Sequence, residues 1–79
     1  MRYEVRWEDG IETVSSEHDS EEGAKKKARW MSKSFRLAIV AAIQPKAEGE
    51  GEEIVKKWTF ENGKQTDSHV EGEAQEGET

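Results

Sequence analysis

The chain has 79 residues, with 18 acidic and 12 basic side chains, a formal net charge of −6 and no cysteine. This length allows one small domain, which buries only about 60% of the surface of its unfolded chain. The lack of cysteine excludes disulfide bridges and thiolate metal sites. The longest apolar run, residues 37–43, is far shorter than the roughly 20 residues needed to span a bilayer. We therefore expect a soluble, cytoplasmic protein without a signal peptide, because residues 1–10 contain no apolar segment.

The charges are arranged in blocks. Residues 1–22 contain eight acidic and two basic side chains, and residues 48–53 contain four acidic ones. Residues 23–36 contain six basic side chains and no acidic one. The electrostatic properties of the protein therefore depend on which blocks lie side by side in the fold.

The N-terminal segment predicts a β-hairpin. Residues 2–8, RYEVRWE, alternate between charged and apolar side chains, as in a half-buried strand. Asp9-Gly10 is favoured in two-residue type I′ turns. A turn of this kind pairs Val5 with Val14 and makes residues 11–14 the returning strand.

Residues 17–22, EHDSEE, predict the start of a helix that ends near Ser34. Asp19 and Ser20 are candidate N-caps, and acidic residues are favourable in the first turn. Spacing of four, three and four residues predicts one buried apolar stripe: Ala24, Ala28, Met31 and Phe35. The basic side chains at 25, 26, 29, 33 and 36 fall on the opposite side, and Trp30 lies off the stripe.

The second half predicts three more strands. Residues 37–44 are apolar on both faces, as in a central strand, and an acidic, Gly-rich linker follows over residues 46–53. Residues 54–61 predict a strand, for which we expect three residues on one face: Ile54, Trp58 and Phe60. Asn62-Gly63 is a second type I′ turn sequence, and residues 64–70 are its expected edge-strand partner.

These elements predict an α+β fold with an antiparallel sheet of four to five strands, in the order ββαββ(β), and one helix packed on a face. We assign residues 1–70 to this domain. Residues 71–79 contain no large apolar side chain and are predicted to form a disordered acidic tail.

The acidic residues around the first turn and the helix start are the candidate partner-binding site. They are Glu8, Asp9, Glu12, Glu17, Asp19, Glu21 and Glu22. Alternate side chains on one strand face stand about 6.6 Å apart, so strands can present carboxylates at regular spacing as a nucleic acid presents phosphates. The alternative is that these acidic runs only keep the chain solvated.

In size, charge and absence of catalytic motifs, the chain is similar to small phage-encoded host-takeover proteins, some of which mimic DNA. The resemblance implies a non-catalytic inhibitor that occupies the nucleic-acid-binding surface of a basic host protein. A histone-like nucleoid protein or a polymerase subunit would suit, and the site of action would be the host cytoplasm.

The basic segment suggests an alternative function. KKKAR at Lys25–Arg29 resembles the KKxAK run that opens the last helix of double-stranded-RNA-binding domains, which implies a small nucleic-acid-binding protein that uses the helix at 23–36. A structural or assembly protein is a third possibility. The net charge of −6 opposes direct nucleic-acid binding, and we expect the acidic blocks at 17–22 and 48–53 to neutralise the helix.

The aromatic and histidine residues complete the candidates. Trp7 and Trp58 are expected in the core. A small core and the off-stripe Trp30 predict a homodimer with Trp30 at its interface; the alternative is that Trp30 covers an edge of the sheet. His18 and His69 stand alone, without metal-ligand spacing or a nucleophile arrangement. We therefore expect no enzyme activity, no metal and no cofactor.

Overall fold

A computed structural model describes residues 1–70 of the chain; the predicted tail at 71–79 lies outside the described residues. The elements in chain order are β1 (Arg2–Glu8), β2 (Thr13–His18), α1 (Glu21–Phe35), β3 (Leu37–Pro45), β4 (Glu52–Glu61) and β5 (Lys64–Val70). The strands form one antiparallel sheet in the order β2-β1-β3-β4-β5. The predicted α+β fold is confirmed, with five strands and the helix on one face of the sheet.

Small residues let α1 pack closely against the sheet. Ala24 and Ala28 on the helix and Ala38 and Ala42 on β3 are among the buried core residues. Valine and aromatic side chains from the neighbouring strands fill the remaining space: Val5, Val40, Trp58 and Phe60. The helix is too short and too polar to cross a membrane, and no other helix is present in residues 1–70.

The predicted two-residue turn at Asp9-Gly10 is wrong. Residues 9–12 form a four-residue loop, closed by a 3.2 Å hydrogen bond from the Asp9 amide to the Glu12 carbonyl. The longer loop moves the register by two residues, so Val14 pairs with Trp7 and Val5 pairs with Ser16. Since a shift of two residues preserves the face of every side chain, the apolar face of β1 still lies against the helix.

The helix begins where one of the two N-cap candidates predicts. The Ser20 hydroxyl accepts a 3.0 Å hydrogen bond from the Gly23 amide. Glu17 and His18, which the sequence assigned to the helix start, instead end β2. The interior stripe differs at its C-terminal end: Ser32 is fully buried, whereas Phe35 is 38% exposed and stacks on Trp7 with 6.5 Å between ring centroids.

A β-bulge in β4 reverses the predicted facing of Ile54. The register shifts between Ala42, which pairs with Lys56, and Ile43, which pairs with Ile54. Cross-strand partners share a face of the sheet. Ile54 therefore shares the face of Ile43, away from α1, and only Trp58 and Phe60 of the predicted set lie beneath the helix.

The second hairpin agrees with the sequence. Asn62 (φ 51°) and Gly63 (φ 88°) both have the positive φ of a type I′ turn, and β5 is the edge strand of the sheet.

Candidate functional site

The topology brings two acidic segments to the same end of the sheet. Tyr3 pairs with His18, so the end of β2 and the start of α1 lie beside the start of β1. On the other side of β1, Arg2 pairs with Ile43 near the end of β3, where the loop to β4 begins. The β2–α1 junction and the β3–β4 loop therefore flank the N-terminus of β1.

Arg2 joins these two segments directly. Its guanidinium makes an ion pair with Glu17 at the end of β2. It also donates two hydrogen bonds to the Glu52 carboxylate at the start of β4, at 2.7 Å and 3.3 Å. This forked arrangement fixes both the distance and the orientation of the Glu52 carboxylate. One cation thus connects β1, β2 and β4.

The ion pair is reflected in the protonation equilibria. The hydrogen bond from Arg2 lowers the pKa of Glu52 below its ordinary value of 4.5. The same hydrogen bond raises the pKa of Arg2, with further contributions from the charges of Glu17 and Glu4. Glu52 therefore stays ionised to a lower pH than a glutamate without this hydrogen bond.

We call this end of the molecule the acidic pole. It contains eight carboxylates: Glu17, Asp19, Glu21, Glu22, Glu48, Glu50, Glu52 and Glu53. All are exposed, and the side chains of half of them make no hydrogen bond or ion pair with another described residue: Asp19, Glu22, Glu48 and Glu50. Arg2 and Lys25 neutralise part of the charge, the latter through a 2.8 Å ion pair with Glu21.

Of the seven predicted site residues, the structure brings four into the acidic pole and places three elsewhere. Glu8, Asp9 and Glu12 lie in and beside the β1–β2 loop, at the other end of β2. The six residues of β2 separate the two groups by about 17 Å.

The β1–β2 loop lies beside basic residues. Glu8 and Asp9 line a shallow cavity together with Lys33 and Arg36, at the C-terminal end of α1. The Asp9 carboxylate accepts hydrogen bonds from the amides of Glu12 and Ile11, both 3.0 Å long. These bonds, that of Glu12 most strongly, lower the pKa of Asp9, so this carboxylate stabilises the loop.

Half of the carboxylates of the acidic pole, those of residues 48–53, were not among the binding residues predicted from the sequence. Residues 48–53 stood out as an acidic block, but their composition alone indicated a solvated linker. The signal that identifies them is the β3–β4 hairpin: once residues 37–44 are a central strand beside β1, the loop that follows must lie near the first residues of β1.

Half of the basic side chains of the segment at 23–36 lie over aromatic rings of the sheet. The ammonium of Lys25 lies 4.7 Å from the Trp58 ring centroid, and that of Lys27 lies 5.6 Å from the Trp7 ring. The Arg29 guanidinium lies 5.7 Å above Phe60. Three of the six basic side chains thus make cation–π contacts. These contacts were not predicted, because helical spacing placed Lys25 and Arg29 on the face away from the sheet.

Trp30 differs from the other tryptophans. It is 66% exposed, whereas Trp58 is 4% exposed and Trp7 packs against the core. Trp30 therefore does not cover an edge of the sheet, and its indole faces away from the sheet beside the basic residues of α1.

Neither histidine makes an ion pair with another residue in the part of the chain that the structure describes. His18 Nε2 lies 2.9 Å from the Ser16 hydroxyl, and His69 is exposed on the edge strand. Within residues 1–70 no group of three or more histidine, aspartate or glutamate side chains is placed to hold a metal ion. No protein-family model, curated protein or solved structure matches this chain.

Proposed function

We propose that this chain is a non-catalytic binding protein whose acidic pole occupies the nucleic-acid-binding surface of a basic protein. A histone-like nucleoid protein is the kind of partner that fits, and a basic polymerase subunit is another. Such a partner places the site of action in the cytoplasm, which is that of a host if the chain is phage-encoded. The mechanism is competition: carboxylates take the place of phosphates and no bond is made or broken.

The observation that carries this proposal is the bridge from Arg2 to Glu17 and Glu52. Glu17 and Glu52, which are far apart in sequence, are held side by side by the guanidinium of Arg2. A fixed set of charges loses less conformational entropy on binding than a flexible acidic run does. The acids on either side of the bridge remain exposed to a partner.

Charge also favours this direction of binding over direct binding to nucleic acid. A net charge of −6 speeds the encounter with a basic protein and slows the encounter with a phosphate backbone. Three basic side chains of α1 contact aromatic rings of the sheet, which supports a structural role for much of the basic segment.

A competition assay with matched variants tests the proposal. A fluorescently labelled DNA duplex is bound to a purified histone-like nucleoid protein, and its anisotropy is followed as the chain is added. The pole variant removes the four unpaired carboxylates of the acidic pole: Asp19→Asn, Glu22→Gln, Glu48→Gln and Glu50→Gln. The control variant removes four acids outside the pole: Glu8→Gln, Glu12→Gln, Glu61→Gln and Asp67→Asn.

We expect the wild-type chain to displace the duplex, and the displacement to weaken as salt rises. The concentration of the pole variant that displaces half of the duplex should be at least about tenfold higher than that of wild type, since several favourable charge contacts are lost. The control variant has the same net charge as the pole variant. The concentration of it that displaces the duplex should remain within about threefold of that of wild type. Equal losses in both variants would reduce the effect to net charge. Direct binding of the chain to the duplex, lost in Lys26→Gln with Lys33→Gln, would favour the alternative nucleic-acid-binding function.

A further inference from the structure

The face of α1 that points away from the sheet carries a stripe of four exposed residues. Glu22, Lys26, Trp30 and Lys33 follow spacing of four, four and three residues along the helix. Glu22, Lys26 and Trp30 lie opposite the buried face of the helix, which is formed by Ala24, Ala28 and Ser32. Lys33, at the C-terminal end of the stripe, is exposed but also lies beside Gly63 of the β4–β5 turn. The exposed indole at the centre of this stripe is the largest hydrophobic group left uncovered on the helix.

None of the three charged residues of the stripe makes an ion pair with another described residue. Their order is also uneven: the acid lies in the first turn and Lys33 lies in the last turn. A helix with this order is complementary to a second copy of itself in the antiparallel direction, because the acidic end of each copy then faces the basic end of the other.

We infer that the chain forms a two-fold homodimer through this stripe. In an antiparallel helix pair, Glu22 of one copy faces Lys33 of the other, and Trp30 faces Lys26. Both contacts are centred near residue 28, so a single two-fold axis generates all four of them. The indole covers the aliphatic stem of the lysine and contacts its ammonium. The two helix dipoles point in opposite directions, which is a favourable arrangement.

A second copy fits the stripe better than a nucleic acid does. A phosphate backbone that follows the stripe meets Glu22 at one end, together with Asp19 just before the helix and the rest of the acidic pole. The second copy instead uses both signs of charge. Since α1 has 15 residues and a length of about 22 Å, the interface is small, and we expect weak association with Kd in roughly the micromolar range. The inference shares only Glu22 with the proposed function, since the other unpaired carboxylates of the acidic pole, Asp19, Glu48 and Glu50, lie outside α1.

Sedimentation velocity over a range of concentrations tests the dimer. The wild-type chain should shift from the mass of one chain to the mass of two as its concentration passes through roughly the micromolar range. Trp30→Ala should weaken association at least about tenfold, since a central aromatic contact is lost. A wild-type chain that stays monomeric, or an unchanged Trp30→Ala variant, would overturn the inference.

A charge exchange tests the pairing itself. Glu22→Lys and Lys33→Glu should each abolish self-association, because each homodimer would then oppose like charges twice. An equal mixture of the two variants should associate again, since every pair in the mixed dimer joins opposite charges. Glu61→Lys, in the β4–β5 hairpin, changes the net charge by the same amount as Glu22→Lys, and this control variant should dimerise like wild type.

Circular dichroism of each variant shows whether it is folded. The test uses only the two single variants, so no chain has to tolerate both substitutions. A mixture that stays monomeric while both variants are folded would overturn the pairing. A wild-type chain that does not self-associate but binds single-stranded DNA would also overturn the inference. Loss of this binding in Trp30→Ala would then assign the stripe to nucleic-acid binding.

Discussion

The hydroxyl of Ser32 joins the helix to the β4–β5 turn through the amide of Gly63. This fully buried hydroxyl accepts a 2.8 Å hydrogen bond from the Gly63 amide and donates a 3.0 Å hydrogen bond to the carbonyl of Arg29. Since no side-chain nitrogen or oxygen buried in the described residues lacks a partner, this serine is a satisfied polar group in an otherwise apolar stripe. It fixes the position of the second hairpin relative to α1.

Removal of this hydroxyl should destabilise the fold. Ser32→Ala leaves the Gly63 amide without its partner, and we expect a loss of about 1–2 kcal/mol in the free energy of unfolding. Ser34→Ala on the exposed side of the helix is the control, and should be neutral or slightly stabilising because alanine has the higher helix propensity. Urea unfolding followed by circular dichroism measures both. Equal stabilities of the two variants would contradict the role of the Ser32 hydroxyl.

The residue that follows α1 is strained. Arg36 has φ 74° and ψ −44°, a conformation that glycine adopts more readily than any residue with a Cβ. Arg36→Gly should raise the free energy of unfolding by about 1 kcal/mol, because relief of about 1–3 kcal/mol of strain exceeds the entropy cost of glycine. Lys33→Gly within the helix should instead lower it by about 1 kcal/mol. Thermal unfolding distinguishes the two signs, and a destabilised Arg36→Gly variant would refute the argument.

Truncation of Trp58 should destabilise the fold strongly, whereas truncation of Trp30 should have little effect. Trp58→Ala removes a ring that is 4% exposed and should cost about 3–5 kcal/mol, a large part of the stability of a small domain. Trp30→Ala removes a ring that is 66% exposed and should change the stability of the monomer by less than about 0.5 kcal/mol. Thermal unfolding at a low chain concentration makes the comparison. A large loss with Trp30→Ala under these conditions would return that indole to the intramolecular core.

The bridge at Arg2 should make stability depend on pH. Because the folded pKa of Glu52 lies below its ordinary value of 4.5, its ionisation stabilises the fold fully above pH 4.5. This contribution is lost as the pH falls from 4.5 through the folded pKa. In Arg2→Gln, we expect the Glu52 pKa to rise towards its ordinary value and the stability difference from wild type to shrink below that pH.

Carboxyl NMR titration measures the Glu52 pKa in each variant, and urea unfolding over the same pH range measures stability. Arg6→Gln is the matched control, since Arg6 pairs at 3.2 Å with Glu4 on its own strand and should leave Glu52 unchanged. A Glu52 titration that is the same in Arg2→Gln and in wild type would contradict the bridge.

The sequence determined the elements of this protein because local patterns fix them. Alternation in residues 2–8 predicted β1, the spacing of Ala24 and Ala28 predicted the inner face of α1, and Asn62-Gly63 predicted the second turn. These features depend on residues that are neighbours along the chain. The same reasoning failed at Asp9-Gly10, where the side chain of Asp9 binds two amides and stabilises a longer loop.

The tertiary structure decided which distant residues meet. Composition showed that residues 17–22 and 48–53 are acidic, but only the position of β1 between β2 and β3 brings these segments to Arg2. The bulge that turns Ile54 away from the helix likewise depends on pairing across the sheet, which no local spacing reveals. Each lysine on α1 contacts an aromatic ring or faces solvent according to the position of the sheet beneath it. Local hydrogen bonding and periodicity therefore set the strands and the helix, whereas strand order and register set the charged surfaces.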